Sequence, residues 1–200
     1  MKDVMKKGML HGTIALDTIS NKTNLYGLGP VEYLTGEIMI IDGKSYISTI
    51  SNGAISVTES FNAKAPFFVA ANVARWKESP LPDSVNNISD LNRYLDILAL
   101  ETDKPFAFKL AGKIKSAVIH VVNLPPGTKV TSHDDAHTGM VKFELDEQNV
   151  EIIGFFSRNH QAVFTHHDTF IHLHLLTVDK KFMGHLEDFA PMEMTLFLAE

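Results

Sequence analysis

Histidine is the residue type whose spacing most directly suggests chemistry in this sequence. The chain has ten histidines in 200 residues and no cysteine, which excludes disulfides, thiolate zinc sites and cysteine nucleophiles. Six of the ten fall within residues 160–185: His160, His166, His167, His172, His174 and His185. Because neutral imidazoles bind divalent transition metals, this cluster points to a metal site built from nitrogen ligands.

The segment 170–176 predicts a β-strand that carries two imidazoles on one face. Alternation along a strand places His172 and His174 on one side and the apolar residues between and around them on the other. At a rise of roughly 3.3 Å per residue, the two Cα atoms are about 6–7 Å apart, so both rings can reach one ion. Residues 177–181 predict a turn that would return His185 beside the pair. Three imidazoles with an open fourth position describe a catalytic site for zinc or another divalent metal.

Other polar residues could join this site. His166 and His167 are adjacent and face opposite ways in a strand, so at most one could contribute, and we expect them behind the ligands or at the surface. Glu37 enters the apolar strand 38–41, where a charge is costly, and is the leading carboxylate to complete the site. The alternative for Glu37 is an edge-strand position that faces water.

The rest of the chain predicts an α+β, β-rich fold with mixed or antiparallel sheets and one main helix. Strands 38–41 and 44–47 form a hairpin, because the Asp42-Gly43 turn between them suits a type I′ geometry. A second hairpin is expected over 106–122 with a turn at Ala111-Gly112. Further strands are predicted over 150–156, 170–176 and 192–198.

The helix is predicted from Asp90 to about Leu100, since apolar residues recur there at helical spacing. Ser89 serves as its N-cap, Asp90 places a carboxylate in the first turn, and residues 103–105 end it. Two prolines make 77–83 linker-like, and 125–128 and 133–135 predict surface loops. We expect residues 1–200 to form one compact unit, and any division into two sheet lobes to fall near 77–105.

Composition excludes several classes of protein. The formal net charge of −6 disfavours binding to nucleic acid, which requires a basic surface. No run of eighteen apolar residues is present, so no membrane span is expected. Residues 1–7 are basic but no apolar segment follows them, which predicts no signal peptide and a cytoplasmic location.

Several motifs together resemble one known family. They are Gly27-Leu28-Gly29, Tyr33-Leu34-Thr35-Gly36-Glu37, Ile41-Asp42-Gly43-Lys44, Phe106-Ala107-Phe108-Lys109-Leu110-Ala111-Gly112 and His172-Leu173-His174 followed by Gly184-His185. Their order resembles that of α-acetolactate decarboxylase, over about residues 12–189. The resemblance implies a β-rich α+β homodimer that converts 2-acetolactate to acetoin and CO₂. It also implies zinc held by His172, His174 and His185, and Glu37 as the active-site glutamate.

The sequence departs from the family at two places. Family members carry an arginine eight residues beyond the glycine that matches Gly112, where it faces the substrate carboxylate; this chain has His120 there. Either a protonated His120 replaces the arginine or Arg158 reaches in, the alternative for Arg158 being a solvated surface position. Members also return a C-terminal glutamate to the metal from several dozen residues further on, whereas fifteen residues follow His185 here, and Glu200 is not assigned that role.

The chemistry that this resemblance implies agrees with the residue types. A small 2-hydroxy-3-keto acid can chelate zinc through its hydroxyl and keto oxygens, and the metal then stabilises the charge left by loss of CO₂. Glu37 either protonates carbon or anchors the donor. Two alternatives stay open: a related enzyme with a changed substrate, and a metal-stabilised binding module without turnover. A cupin-type oxygenase is disfavoured, because residues 177–179 offer only Asp179 where a glutamate is needed.

Overall fold

The computed structural model describes residues 1–101, 104–165 and 169–200, and strands dominate it. The helices are α1 (Lys2–Lys7), α2 (Ile88–Leu98) and α3 (His133–Ala136). The strands are β1 (Ile14–Ala15), β2 (Leu25–Pro30), β3 (Glu37–Ile41), β4 (Lys44–Ser51), β5 (Ala54–Glu59), β6 (Lys64–Ala65), β7 (Val69–Asn72), β8 (Trp76–Pro80), β9 (Phe106–Val121), β10 (Val141–Asp146), β11 (Asn149–Phe156), β12 (Ile171–Thr177) and β13 (Met183–Ala199). The predicted β-rich α+β fold class is confirmed.

The strands form two main sheets in which neighbouring strands pair antiparallel. The first has five strands in the order β5-β4-β3-β2-β7, and the second has six in the order β10-β9-β11-β12-β13-β8. An additional pairing of β13 with β9 closes β9, β11, β12 and β13 into a circuit. Strands β1 and β6 form a separate two-stranded ribbon. The site described below lies where β12 and β13 meet β9 in the six-stranded sheet.

Two clusters of buried apolar residues hold the sheets in place. Helix α2 packs Leu91 and Leu95 against the six-stranded sheet, and full burial of each leucine contributes about 1.5–3 kcal/mol. A second cluster joins the two sheets, with Met39 on one side and Ile153 and Phe155 on the other. Within the described residues, no helix has the length and apolarity needed to cross a bilayer.

The β3–β4 hairpin and helix α2 lie where the sequence predicts them. The hairpin of β3 and β4 turns at Asp42 and Gly43, whose φ angles of 45° and 75° match the predicted turn. Helix α2 occupies the predicted stretch, but Asn87 is its N-cap, because its side chain accepts a hydrogen bond from the Asp90 N–H. The prediction that Ser89 is the cap was wrong by half a turn. Asp103, part of the predicted helix stop, lies outside the described residues.

Two further predictions, one for residues 106–122 and one for the segment around residue 80, were wrong. Residues 106–122 do not turn at Ala111-Gly112; β9 runs through them as one strand, because β11 and β13 pair with it on both sides. Residues 76–80 are not a linker but the edge strand β8, where Pro80 is tolerated because an edge strand needs hydrogen bonds on one side only.

Gly112 lets β9 pass close to β13, and its replacement should be destabilising. Its φ is 143°, and a Cβ atom at this position would overlap the carbonyl oxygen of Glu193. We expect Gly112→Ala to lower the free energy of unfolding by about 3 kcal/mol, measured by urea denaturation. Gly53→Ala is the control, because Gly53 has a positive φ of 76° but open space around it, so its loss should be about 1 kcal/mol. Equal losses in both variants would contradict the steric explanation.

Candidate metal centre

A row of polar side chains crosses four neighbouring strands of the six-stranded sheet. Antiparallel pairing sets Lys142 on β10 opposite His120 on β9, His120 opposite His185 on β13, and His185 opposite His174 on β12. His172 lies two residues before His174 and therefore on the same face of β12. The hairpin predicted after residue 176 thus exists, and it returns His185 beside the pair.

His172, His174 and His185 form a compact group. Their ring centroids are 5.1 Å apart for His172 and His174, 5.1 Å for His172 and His185, and 5.5 Å for His174 and His185. One ligand nitrogen from each lies within 4.8 Å of the other two, which is close enough for all three to hold one metal ion. His172 and His174 are buried and His185 is half-buried, so the group is open on the His185 side.

His174 has the environment of a metal ligand. The ring is fully buried, and neither ring nitrogen has a well-formed hydrogen bond within the described part of the chain. Glu37 Oε2, 3.6 Å from Nε2, and the main chain of Ile38 lie close by without reaching good geometry. Burial holds the pKa of His174 well below its ordinary value, and the His172 and His120 rings add to this effect. The ring is therefore neutral at pH 7, which is the form that binds metals.

Glu37 is buried beside the histidines and does not face water. It begins β3, which lies inside the five-stranded sheet, and 3% of its surface is exposed. Its Oε1 accepts a hydrogen bond of 3.3 Å from the Val122 N–H. Burial raises the pKa of Glu37 to about 8, against the smaller opposing effect of the Val122 hydrogen bond. A cation held by the histidines would lower this pKa again, so the carboxyl can hold or release a proton near neutral pH.

His120 also lies at this group. Its ring stacks on that of His185 with centroids 4.8 Å apart, and 6% of its surface is exposed. Its Nδ1 is 3.0 Å from Oε1 of Glu187, whose Oε2 accepts a 2.6 Å hydrogen bond from Lys142. The hydrogen bond to His120 is the main reason that the pKa of Glu187 falls to about 2, with Lys142 contributing less and partial burial opposing both. Glu187 is therefore an ionised acceptor at neutral pH.

Arg158 is placed elsewhere, which corrects the suggestion that it reaches into the site. Its guanidinium donates to Asp96 Oδ1 at 2.6 Å, to the Ala99 carbonyl at 2.9 Å and to the Asp96 carbonyl. These acceptors lie at the C-terminal end of α2, where a positive charge is favourable. Arg158 does not line either cavity beside the histidines. It is half-buried against the helix and not a freely solvated arginine.

Two cavities meet at the histidines. One of about 50 Å³ lies against Glu37, His172 and His185. The other, of about 490 Å³, extends from His185 past Glu187 along apolar residues such as Leu173. Four histidines line both cavities: His120, His133, His137 and His185. A ligand that reaches the metal group from the larger cavity therefore passes these rings.

The sequence pattern does not predict that His133 and His137 belong to the site. They belong to the short helix α3 and the residue after it, which the sequence predicts as a surface loop. Their ring centroids are 4.2 Å apart, and His137 is 5.6 Å from His120. The spacing of four residues was a signal that both lie on one side of a helical turn. His166 and His167 lie outside the described residues.

Comparison with known proteins identifies the family and the fold of the chain. The curated alpha-acetolactate decarboxylase of Streptococcus thermophilus is 26% identical over 190 residues, covering 91% of this chain and 74% of that protein. The crystal structure of acetolactate decarboxylase from Bacillus subtilis subspecies spizizenii superposes with a TM-score of 0.84 at 19% identity, covering all of this chain and 82% of that one. A Staphylococcus aureus protein of unknown function, described as similar to alpha-acetolactate decarboxylase, has a TM-score of 0.74 at 20% identity, with 95% and 78% covered. The family model for alpha-acetolactate decarboxylase matches residues 1–200, and the chain belongs to that family.

Proposed function

We propose that the protein is a metal-dependent decarboxylase that converts 2-acetolactate, a small 2-hydroxy-3-keto acid, to acetoin and CO₂. The observation that carries this proposal is the convergence of three imidazoles beside the buried carboxyl of Glu37, in a member of this family. The homodimer implied by the resemblance stays a prediction.

The residues present fit a divalent metal. His172, His174 and His185 would hold it, and the strongest sign that these nitrogens are ligands is that no described residue makes a well-formed hydrogen bond to the buried His174 ring. Three histidines with no thiolate suit zinc, which we propose as the metal, or another divalent transition metal. When bound, such an ion would supply Lewis-acid chemistry: it would polarise the hydroxyl and keto groups of the substrate and stabilise the negative charge that develops as CO₂ leaves.

Glu37 would hold and transfer the proton that this reaction requires. Loss of CO₂ leaves a carbon that must be protonated to give acetoin, and the buried carboxyl beside the histidines is the group that could hold a proton for such a transfer. The hydrogen bond from Val122 fixes Oε1, so Oε2 is the oxygen directed to the histidine group. We propose that Glu37 delivers this proton or anchors the water that does.

His120 would contact the carboxylate of the substrate. It lines both cavities and stacks on His185, so a ligand at the metal group meets its ring. Its Nδ1 is engaged with Glu187, which directs Nε2 to the ligand. The larger cavity beyond it also presents apolar side chains, among them Ile88, Ile171 and Leu173, which suits the methyl groups of the substrate.

His120→Ala should weaken substrate binding more than turnover. Loss of one charge-assisted hydrogen bond should raise KM roughly tenfold and change kcat less, measured by steady-state acetoin formation. His11→Ala is the control, because His11 is exposed and pairs with Tyr33 and Glu32 on the surface. An unchanged KM for His120→Ala would contradict the role of His120 in binding.

An assay with and without chelator tests the proposed function. Metal content is measured on the purified protein, and acetoin release from racemic 2-acetolactate is followed before and after chelation and after zinc is added back. We expect about one metal per chain and chelator-sensitive acetoin release. Bound metal without acetoin would support the alternative of a related protein with a changed substrate or no turnover. A folded protein that takes up no zinc would contradict both.

A further inference from the structure

Glu187 occupies an irregular position in β13. Leu186 pairs with Ile119 and Asp188 pairs with Val118, so Glu187 is the extra residue of a β-bulge. A bulge re-aims the side chain of the extra residue, and bulges are frequent next to active sites. Here it lies two residues after His185 and aims the carboxylate along the row that contains His120.

Three charged or polar groups from three strands meet at this bulge. Glu187 Oε1 lies 3.0 Å from His120 Nδ1, and Oε2 accepts from Lys142 at 2.6 Å. The carboxylate is 28% exposed and the His120 side chain 8%, so the contact with His120 is shielded and that with Lys142 faces solvent. Lys142 donates to one oxygen of this carboxylate, and the other oxygen accepts from His120, so the hydrogen of that contact lies on Nδ1.

We propose that Glu187 is a positioning residue for the reaction: it holds the His120 ring over His185 with the hydrogen on Nδ1, so that Nε2 meets the substrate. Lys142 fixes the second oxygen of Glu187 and so limits rotation of the carboxylate. This inference rests on the proposed function for its catalytic consequence, but the orientation of His120 does not depend on it. Carboxylates that orient metal-ligating histidines commonly change metal affinity or activity by about 10–100-fold when they are removed. For His120, which faces the substrate, the effect is limited to what His120 itself contributes.

A different role for the histidines lining the cavities is a second metal site, and the geometry does not favour it. Among residues 1–101, 104–165 and 169–200, the three ligand nitrogens that lie within 4.8 Å of one another belong to His172, His174 and His185. His120, His133 and His137 do not form such a group. The contact of His120 with Glu187 is therefore better explained as orientation of a ring that faces the substrate.

Nuclear magnetic resonance of the histidine rings tests the orientation without using activity. The metal-free protein is labelled with ¹⁵N-histidine and examined at pH 9, where imidazoles are neutral, and the His120 signals are assigned with His120→Gln. We expect the Nδ1–H tautomer in the wild type and in Glu187→Gln, whose amide oxygen still accepts a hydrogen bond. We expect Glu187→Ala to lose that preference. Glu193→Ala, on an exposed position of the same strand, is the control and should match the wild type.

Kinetics of the zinc-loaded variants test the consequence. We expect kcat/KM for 2-acetolactate to fall roughly tenfold in Glu187→Ala at unchanged zinc content, no more than in His120→Ala, with partial rescue in Glu187→Gln. An Nδ1–H signal that persists in Glu187→Ala would overturn the positioning role, whatever the activity. If Glu187→Ala changes the tautomer of His120 but the wild type releases no acetoin, the orientation of His120 by Glu187 is supported. The result then contradicts the proposed function and not the orientation. Unaltered kcat/KM in an active Glu187→Ala with a changed tautomer would overturn the catalytic consequence.

Discussion

Replacing His174 with glutamine is expected to lower the affinity for zinc about 1000-fold and to abolish acetoin formation. Three protein ligands share a binding free energy of about 10–16 kcal/mol, so each is worth about 4 kcal/mol. Of the three ligands, His174 has the ring nitrogens with the fewest other partners, because neither of these buried nitrogens makes a well-formed hydrogen bond with a described residue. Competition with a chelating dye measures the affinity.

The control for this variant is His11→Gln, the same change at an exposed histidine. It should bind zinc as the wild type does. Thermal unfolding of the metal-free proteins separates loss of metal from loss of fold, and we expect His174→Gln to unfold at a temperature close to that of the wild type. A His174→Gln protein that is folded and binds zinc with unchanged affinity would remove this residue from the site.

Replacing Glu37 with glutamine is expected to lower kcat at least 100-fold while zinc binding is retained. The amide keeps the acceptor for the Val122 N–H and nearly the same volume, but it has no exchangeable carboxyl proton. Loss of a general acid commonly lowers the rate by about 10²–10⁴-fold. Steady-state kinetics on zinc-loaded protein, with zinc content measured in parallel, give the result. Full turnover in Glu37→Gln would show that Glu37 neither donates the proton nor anchors its donor.

The same variant should change the pH dependence of stability in the metal-free protein. The pKa of Glu37 rises from 4.5 to about 8 on folding, so between these values the folded state binds more protons than the unfolded state. Stability of the wild type therefore falls as the pH rises through this window, and the contribution is fully lost above it. Glu37→Gln lacks this component, so its urea midpoint should decline less between pH 5 and pH 9. Parallel curves for the two proteins would contradict the raised pKa.

The metal-binding hairpin could be predicted from the sequence because its signals are local. His172 and His174 alternate with apolar residues over a few positions, and the following polar turn determines where His185 returns. The burial of Glu37 was harder to predict from the sequence. A glutamate in an apolar strand keeps its carboxylate in water, and avoids the cost of burying the charge, if that strand lies at the edge of a sheet. Only the pairing of β3 with β2 and β4 places it inside the sheet.

The features that the sequence did not predict depend on long-range contacts. Arg158 binds Asp96 across 62 residues of chain, and no local pattern identifies that partner. Gly112 looks like a turn residue, yet it allows β9 and β13 to approach closely, which requires knowledge of both strands. His133 and His137 follow a proline-containing stretch, and their place at the site is set by packing of α3 against α1, where Ala136 clusters with Val4 and Val122.

Anomalous diffraction at the zinc absorption edge, from crystals grown with zinc, tests the central claim most directly. We expect a single dominant peak about 2.0–2.1 Å from one nitrogen each of His172, His174 and His185. No peak there, or a dominant peak held by His120, His133 or His137 instead, would contradict the account.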